Sequence, residues 1–179
     1  MTTILGLQLP DRVEIYADSQ ITEGDGRKYI HGKMHKIAKR KGFLISGAGE
    51  AFPCDIAQHI WKPPLPEDDD YKNVYHFMIE TVVPSLRKCL TDNGYNWNDE
   101  SDDEYRFSFL IAFDGQLFSI ADDLSVTMRY DGVYGVGSGS KYAIGAFMAG
   151  ASPMAAMKIA AKNDAYTSAP FIKRTQYRG

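Results

Sequence analysis

The sequence predicts an α+β protein in which two antiparallel sheets pack face to face and helix pairs cover both outer faces, a four-layer αββα sandwich. Strand-like segments come as consecutive hairpins rather than alternating with helices, which favours antiparallel sheets. Two strand sets are each followed by two helical regions, and every segment has an apolar face that must be buried. The chain has 179 residues, so we expect one domain over residues 1–179.

The first strand set occupies the first quarter of the chain. Residues 2–9 and 12–17 alternate as strands around a turn at Pro10 and Asp11, which indicates a hairpin. A polar loop is expected at residues 23–28 and a short extended piece at 33–38. The remaining segments are a turn at 39–42 and an apolar strand at 43–46 that ends in glycine. We therefore expect four strands in two hairpins.

Two helices follow this strand set. Residues 50–61 read as the first, and the prolines at 63, 64 and 66 end it. Residues 71–90 read as the second, because apolar side chains recur there at helical spacing. Pro84 inside this stretch predicts a kink or a split. Residues 92–104 are acidic and rich in turn formers, so a surface loop is expected.

The second half repeats the pattern. Strands are expected at residues 106–113, 116–120, 126–130 and 133–136, and the first two are joined by an Asp-Gly turn. Helices are expected at 141–149 and 154–162. Ser152 suits the N-cap of the second and Pro153 its first position. Residues 171–177 can form a final strand.

Composition excludes several classes of protein. Hydrophobic residues make up 44% and charged residues 24%, as in ordinary globular chains. The net charge of −3 argues against nucleic-acid and anionic-membrane partners. No apolar run is long enough to span a membrane, and no secretion signal is apparent, so a cytoplasmic location is expected. Cys54 and Cys89 lack zinc-site spacing and are expected to be buried free thiols.

The N-terminus carries a chemical feature of its own. A small second residue allows the initiator methionine to be removed. Removal of Met1 would leave Thr2 with a free α-amine and a β-hydroxyl on one residue. Such a terminus is a nucleophile with a built-in base, provided that the fold supplies the other groups.

Several segments, taken together and in order, resemble the β-type subunits of proteasomes. The resemblance is greatest to their simpler bacterial relative, the HslV peptidase of the N-terminal nucleophile hydrolase superfamily. The segments are residues 2–4, 17–22, 33–37, 46–49, 135–140 and 164–167. From the first segment to the last, they span nearly the whole chain. The resemblance implies the N-terminal nucleophile hydrolase fold and a threonine peptidase that needs no metal or other cofactor.

The resemblance also implies roles for the first three site residues. Thr2, freed of Met1, matches the nucleophile. Lys36 matches the active-site lysine, although from local sequence alone it reads as a solvated lysine in a basic stretch. Asp18 matches the aspartate that pairs with this lysine, and its local alternative is a turn residue at a strand end. A lysine cation near the α-amine would lower the pKa of that amine by like-charge repulsion.

Four more positions match the family pattern. Ser138 matches the serine near the terminal amine, with a helix N-cap as its local alternative. Asp164 and Thr167 match the pair that positions that serine and the amine, and their alternative is ordinary loop chemistry after a helix. Gly47 matches the position whose backbone N–H stabilises the oxyanion, and Gly49 is the alternative within the same Gly-Ala-Gly stretch.

These observations lead to one expected function and two alternatives. We expect a threonine-type endopeptidase of a proteasome-like, self-compartmentalising ring that cleaves unfolded polypeptides. The resemblance implies stacked rings of identical subunits and an ATP-dependent unfoldase ring as partner, with no nucleic-acid or membrane partner. One alternative is a non-catalytic ring or scaffold subunit. The other is an amidase that acts on a small-molecule amide.

Overall fold

Two antiparallel sheets form the centre of the computed structural model, which describes residues 2–30, 35–97 and 106–179. The first sheet has the strand order β10-β1-β2-β11, and the second has the order β5-β6-β7-β8-β9. The strands of the first sheet are β1 (Ile4–Gln8), β2 (Arg12–Ala17), β10 (Val133–Val136) and β11 (Ile172–Tyr177). Those of the second are β5 (Ile37–Arg40), β6 (Phe43–Gly49), β7 (Phe107–Phe113), β8 (Gln116–Ile120) and β9 (Val126–Thr127). A separate two-stranded hairpin consists of β3 (Gln20–Thr22) and β4 (Lys28–Ile30).

Helices follow each strand set. After β6 come α1 (Ala51–Asp55) and a π-helical turn (Ile56–Ile60). A 3-10 turn (Asp70–Lys72) then leads to α2 (Val74–Phe77), a second π-helical turn (Met78–Val82) and α3 (Val83–Asp92). After β10 come α4 (Ser140–Met148) and α5 (Pro153–Asn163).

Two helix features follow directly from the sequence. The second π-helical turn ends at Val82, two residues before Pro84, whose nitrogen has no hydrogen to donate to the preceding turn. The irregularity expected at this proline is therefore present as a π-helical turn. At the start of α5, Ser152 is the N-cap and its hydroxyl accepts a hydrogen bond from the N–H of Ala155 at 3.3 Å, as expected.

The core lies in three layers between four layers of secondary structure. Between the sheets, Ile4 and Ile15 pack with Leu110. On the outer side of the first sheet, Leu5 packs with residues of α4 and α5. On the outer side of the second sheet, aromatic and aliphatic residues of β6 and β7 pack with α1, α2 and α3. Neighbouring residues such as Ile4 and Leu5 enter different layers because strand side chains alternate. The predicted αββα class is confirmed.

The strand count expected for the first quarter is wrong, because six strands rather than four precede α1. Lys28, expected in a loop, begins β4, whose three residues are all exposed and so show no apolar alternation. Arg40, expected in a turn, belongs to β5, and the turn contains only Lys41 and Gly42.

Other boundaries differ less. Strand β9 ends at Thr127, three residues earlier than expected. The expected loop at 92–104 and extended piece at 33–38 lie partly outside the described residues. Cys54 and Cys89 are free thiols as expected, although each is only partly buried. In the described part of the chain, no helix is both long and apolar enough to cross a membrane.

Candidate active site

The start of β1 and the end of β2 bring Thr2 and Asp18 together. Ile4 pairs with Ala17 in the antiparallel β1–β2 ladder, so the residues just outside the ladder are neighbours. The N–H of Thr3 donates to Asp18 Oδ1 at 2.9 Å, and the N–H of Asp18 donates to the Thr3 carbonyl at 3.1 Å. Thr2, Thr3 and Asp18 are all buried.

Lys36 reaches this point from the second sheet. It lies one residue before β5, and its Nζ donates to Asp18 Oδ1 at 2.8 Å and also to Thr2 Oγ1. The Thr2 hydroxyl in turn donates to Asp18 Oδ1. The three side chains expected to act together therefore contact one another directly. Only 16% of the Lys36 side chain is exposed.

Burial and charge act in opposite directions on Lys36. Burial lowers the pKa of the Lys36 ammonium, while the neighbouring Asp18 carboxylate raises it, and the net pKa is lower than the usual 10.5. Asp18 is itself held in place through its other oxygen. Its Oδ2 accepts hydrogen bonds from the N–H of Gln20 at 2.9 Å and the N–H of Ser168 at 3.4 Å.

Ser138, Asp164 and Thr167 form a second cluster beside the first. Ser138 Oγ donates to Asp164 Oδ2 at 2.9 Å, and the Thr167 hydroxyl donates to the same oxygen. Ser138 Oγ also lies 3.5 Å from the carbonyl oxygen of Thr2. Thr167 and Thr3 share a hydrogen bond of 2.5 Å between their hydroxyls. The second cluster therefore contacts both threonines at the start of β1.

The local alternative for Ser138 is wrong. Gly139, not Ser138, is the N-cap residue of α4, and the Ser138 hydroxyl is engaged with Asp164. Asp164 is the C-cap residue of α5, so its carboxylate reaches the cluster from the end of that helix.

Gly47 lies in β6, one residue beyond the part of that strand that pairs with β5. Lys41 and Gly42, with φ of 45° and 85°, form a two-residue turn between Arg40 and Phe43, and in such a turn the two flanking residues form the hydrogen-bonded pair. Because N–H groups alternate between the two sides of a strand, the N–H of Gly47 points to the same side as that of Phe43, toward β5. The β5–β6 ladder ends at the Ile37–Ser46 pair. The Gly47 N–H therefore faces the space beside Lys36.

Sequence reasoning missed the residues that permit this close packing. A Cβ on Gly139 would lie 2.0 Å from Thr3 Oγ1, and one on Gly137 would lie 2.1 Å from the Thr2 carbonyl oxygen. Gly137 also has a φ of 89°. The Gly-Ser-Gly pattern around Ser138 carried this signal, since two glycines flank a candidate site residue.

Two further residues hold the Lys36 backbone, and sequence reasoning missed both. Buried Ser46 donates from Oγ to the Lys36 carbonyl at 2.5 Å, and Gln58 Nε2 lies 3.5 Å from the same oxygen. Gln58 belongs to the first π-helical turn. Nothing in its local sequence pattern marks it as a neighbour of Lys36.

A cavity of about 450 Å³ opens beside Thr2. Its walls are the segment around β3, Lys36, the end of β6, and α1 with its following π-helical turn. Across residues 2–30, 35–97 and 106–179, no three His, Cys, Asp or Glu side chains are arranged to hold a metal ion. The site therefore offers a hydroxyl, an ammonium, carboxylates and strand-edge N–H groups next to an open space.

Comparison with solved structures shows that the chain has the N-terminal nucleophile hydrolase fold of proteasome-type subunits. The expected resemblance is thus confirmed for the fold. BPH from Thiobacillus denitrificans has 22% identity and a TM-score of 0.70, over 99% of this chain and 98% of that one. The same protein has been determined in complex with epoxomicin.

Two other neighbours have the same fold. Eukaryotic HslV from Trypanosoma brucei has 18% identity and a TM-score of 0.63, over 98% of this chain and 99% of that one. Anbu, an ancestral beta-subunit from Yersinia bercovieri, has 12% identity and a TM-score of 0.68, over 98% of this chain and 81% of that one. Neither protein-family models nor curated proteins match the sequence.

Proposed function

We propose that the chain is a threonine-type endopeptidase whose nucleophile is the hydroxyl of Thr2, freed by removal of Met1. The observation that carries the proposal is the contact of the Thr2 hydroxyl with both Lys36 Nζ and the Asp18 carboxylate, beside an open cavity. A threonine hydroxyl is a weak nucleophile and needs such activation. The polar surroundings also agree with the fold's resemblance to HslV and BPH.

The α-amine of Thr2 is the proposed general base. Its reference pKa of about 7.7–8.0 lies near neutral pH, and the Lys36 cation beside the Thr2 hydroxyl lowers it further by repulsion. Asp18 holds Lys36 in position and favours its charged form. Ser138, Asp164 and Thr167 are proposed to orient the amine and its water, because Ser138 contacts the Thr2 carbonyl.

The proposed reaction proceeds in two steps. In the first step, the α-amine of Thr2 takes the hydroxyl proton while Thr2 Oγ1 bonds to the substrate carbonyl carbon. The same proton then passes to the amine of the departing peptide as the peptide bond breaks, which leaves an ester on Thr2. Water then hydrolyses the resulting ester. The N–H of Gly47 is the proposed oxyanion donor, with Gly49 as the alternative on the same strand edge. One such donor contributes roughly 3–4 kcal/mol in known cases.

We further propose that identical subunits assemble into stacked rings, with an ATP-dependent unfoldase ring as partner and unfolded polypeptides as substrates. The neighbour named an ancestral beta-subunit is consistent with assembly. Large apolar side chains on the outer helices are available for subunit contacts. Examples are Phe52, Ile60, Ile79 and Met148, which are 43–62% exposed.

Peptide cleavage by Thr2 variants tests the enzymatic proposal. Thr2→Ala should abolish cleavage, whereas Thr2→Ser, which keeps a hydroxyl, should retain measurable cleavage. Epoxomicin, which one structural neighbour binds, should inhibit the wild-type protein. Equal cleavage by wild type and Thr2→Ala would rule out the peptidase. Cleavage of small amides but not of unfolded protein would favour the amidase, and folded wild type inactive on both would favour the scaffold.

A further inference from the structure

Two carboxylates line the cavity beside Thr2. Glu50 and Asp55 both lie on its wall and are partly buried. Within the described ranges, neither side chain forms a salt bridge. The cationic Lys36 on the same wall is already paired with Asp18. The remaining titratable base on the wall, His35, is exposed.

The positions of these carboxylates are set by α1. Glu50 is the N-cap residue of this helix, yet its side chain accepts no capping hydrogen bond. Its backbone is tied to the second sheet through an N–H bond of 2.8 Å to the Arg106 carbonyl. Asp55 is the last residue of the same helix. The two acidic groups therefore flank α1 on a fixed backbone.

The thiol of Cys54, which lies between them in the sequence, is uncharged at neutral pH. Burial raises the pKa of Cys54 to about 12, and the negative charges of Asp55 and Glu50 add to this rise. All three residues line the same cavity. This part of the cavity therefore presents two acidic side chains beside an uncharged thiol.

Neutral polar groups complete the wall. Gln58 is buried on this wall, and its Nε2 lies 3.5 Å from the Lys36 carbonyl oxygen. Ser19 is only 8% exposed, and its Oγ has no hydrogen-bond partner in the described part of the chain. The cavity is thus lined by acceptors that suit a cationic group with several N–H donors.

We propose that this cavity selects a lysine or arginine side chain immediately N-terminal to the bond that is cleaved. The inference rests on the proposed peptidase function. The residue whose carbonyl carbon is attacked by Thr2 carries its side chain two bonds from that carbon, so this side chain enters the adjoining cavity. A cationic side chain there is attracted by the carboxylates of Glu50 and Asp55, whereas an acidic side chain is repelled.

The test compares peptides that differ at this one position, with arginine, lysine, leucine or glutamate, cleaved by protein with a free Thr2. The wild type should cleave the basic peptides with a kcat/KM at least about tenfold above that for leucine and further above that for glutamate. The double variant Glu50→Gln/Asp55→Asn should lower the basic-to-leucine ratio at least about tenfold. A matched control, Glu67→Gln/Asp68→Asn, changes net charge equally at exposed positions outside the cavity and should leave the ratio unchanged.

Each outcome decides between the proposals. Cleavage of the leucine peptide in preference to the basic ones, or an unchanged ratio in the double variant, overturns the specificity and leaves the peptidase intact. Should the double variant be unstable, Glu50→Gln and Asp55→Asn are measured singly, and an unchanged ratio in both also overturns it. If folded protein with a free Thr2 cleaves neither these peptides nor an unfolded protein substrate, the proposed peptidase function and the proposed specificity are both overturned.

Discussion

Lys36 connects the two sheets at the candidate site. Its backbone precedes the first residue of β5 and is held by Ser46, while its side chain reaches Asp18 at the end of β2. The ammonium is mostly buried, so removing it leaves the Asp18 carboxylate without its cationic partner. The side chain therefore affects both the charge and the geometry around Thr2.

Replacement of Lys36 should separate its proposed role from that of a solvated lysine. Lys36→Ala should lower kcat for peptide cleavage at least about 100-fold, as loss of an activating group does. Lys39→Ala is the matched control, because Lys39 is an exposed lysine in β5, three residues after Lys36, and it should change kcat by less than about twofold. Similar kcat values for the two variants would contradict the proposed role.

The pH dependence of cleavage should also report Lys36. Because burial lowers its pKa below the usual 10.5 despite the opposing effect of Asp18, the ammonium loses its proton at a lower pH than a solvated lysine. Cleavage should therefore decline on the alkaline side below pH 10.5. In Lys36→Arg, whose guanidinium stays charged, any residual activity should lack this decline. The same alkaline decline in both proteins would exclude Lys36 as its cause.

At the scale of elements, the turn between β10 and α4 packs closely against Thr2 and Thr3, because its glycines carry no side chain at the contact. Gly139 has a φ of −85°, which any residue adopts, so the glycine is required by space rather than by conformation. Its missing Cβ leaves room for the hydroxyls of Thr3 and Thr167. This contact joins residues from opposite ends of the chain.

A pair of glycine substitutions tests this packing. Gly139→Ala should destabilise the fold by about 1–3 kcal/mol, because a Cβ would overlap Thr3 Oγ1, and should reduce cleavage at least tenfold. Gly145→Ala, inside α4 with nothing within 4 Å of its added Cβ, should be neutral or stabilising by up to about 1 kcal/mol. Urea unfolding and peptide assays measure both. Equal effects would contradict the packing account.

The pairing of β2 with β11 contains a buried carboxylate with three partners. Burial alone would raise the pKa of Glu14, but hydrogen bonds from Lys173, Tyr16 and Arg12 outweigh it and lower the pKa from 4.5 to about 2. Because the folded-state pKa is the lower one, the ionised group stabilises the fold above pH 4.5. This contribution is lost as the pH falls toward 2.

Glu14→Gln should therefore be less stable than wild type at pH 7, by on the order of 1–3 kcal/mol. The difference should shrink as the pH falls from 4.5 toward 2. Urea unfolding at several pH values measures this, with the exposed Glu67→Gln as a control that tracks wild type. A difference that stays constant over this pH range would show that Glu14 does not contribute through its charge.

At the scale of the whole molecule, the predictions held where local chemistry determines structure. The alternation of β1 and β2 and the Ser152–Pro153 helix start are local features, and both were predicted. Strand β4 was missed because its exposed residues carry no alternation. The contacts of Thr3 and Gly139 were missed because they depend on the packing of distant segments, which no local pattern describes.

The candidate site was predicted mainly through the ordered set of family-like segments rather than through periodicity. Lys36 alone reads as one of several lysines in a basic stretch. Its buried contact with Asp18 arises only when the two sheets pack face to face. The positions of Ser46 and Gln58 likewise follow from the layered packing.

The proposed assembly predicts the mass of the native particle. A subunit of 20.0 kDa in stacked rings should appear in native mass spectrometry as a large homo-oligomer with an even number of subunits, because two equal rings pair. The exposed apolar side chains of the outer helices should become protected in that particle. A protein that is monomeric at micromolar concentration and cleaves peptides at full rate would contradict the ring proposal.

The most direct test of the central claim compares two forms that differ only in the peptide bond between Met1 and Thr2. Cleavage of an N-terminal fusion can expose either Thr2 or Met1, and intact mass verifies each form. We expect the form that begins at Thr2 to cleave peptides and the Met1 form to be inactive, since only the first has an α-amine on the nucleophilic residue. Equal cleavage by both forms, or no cleavage by the form beginning at Thr2, would contradict the assignment of Thr2.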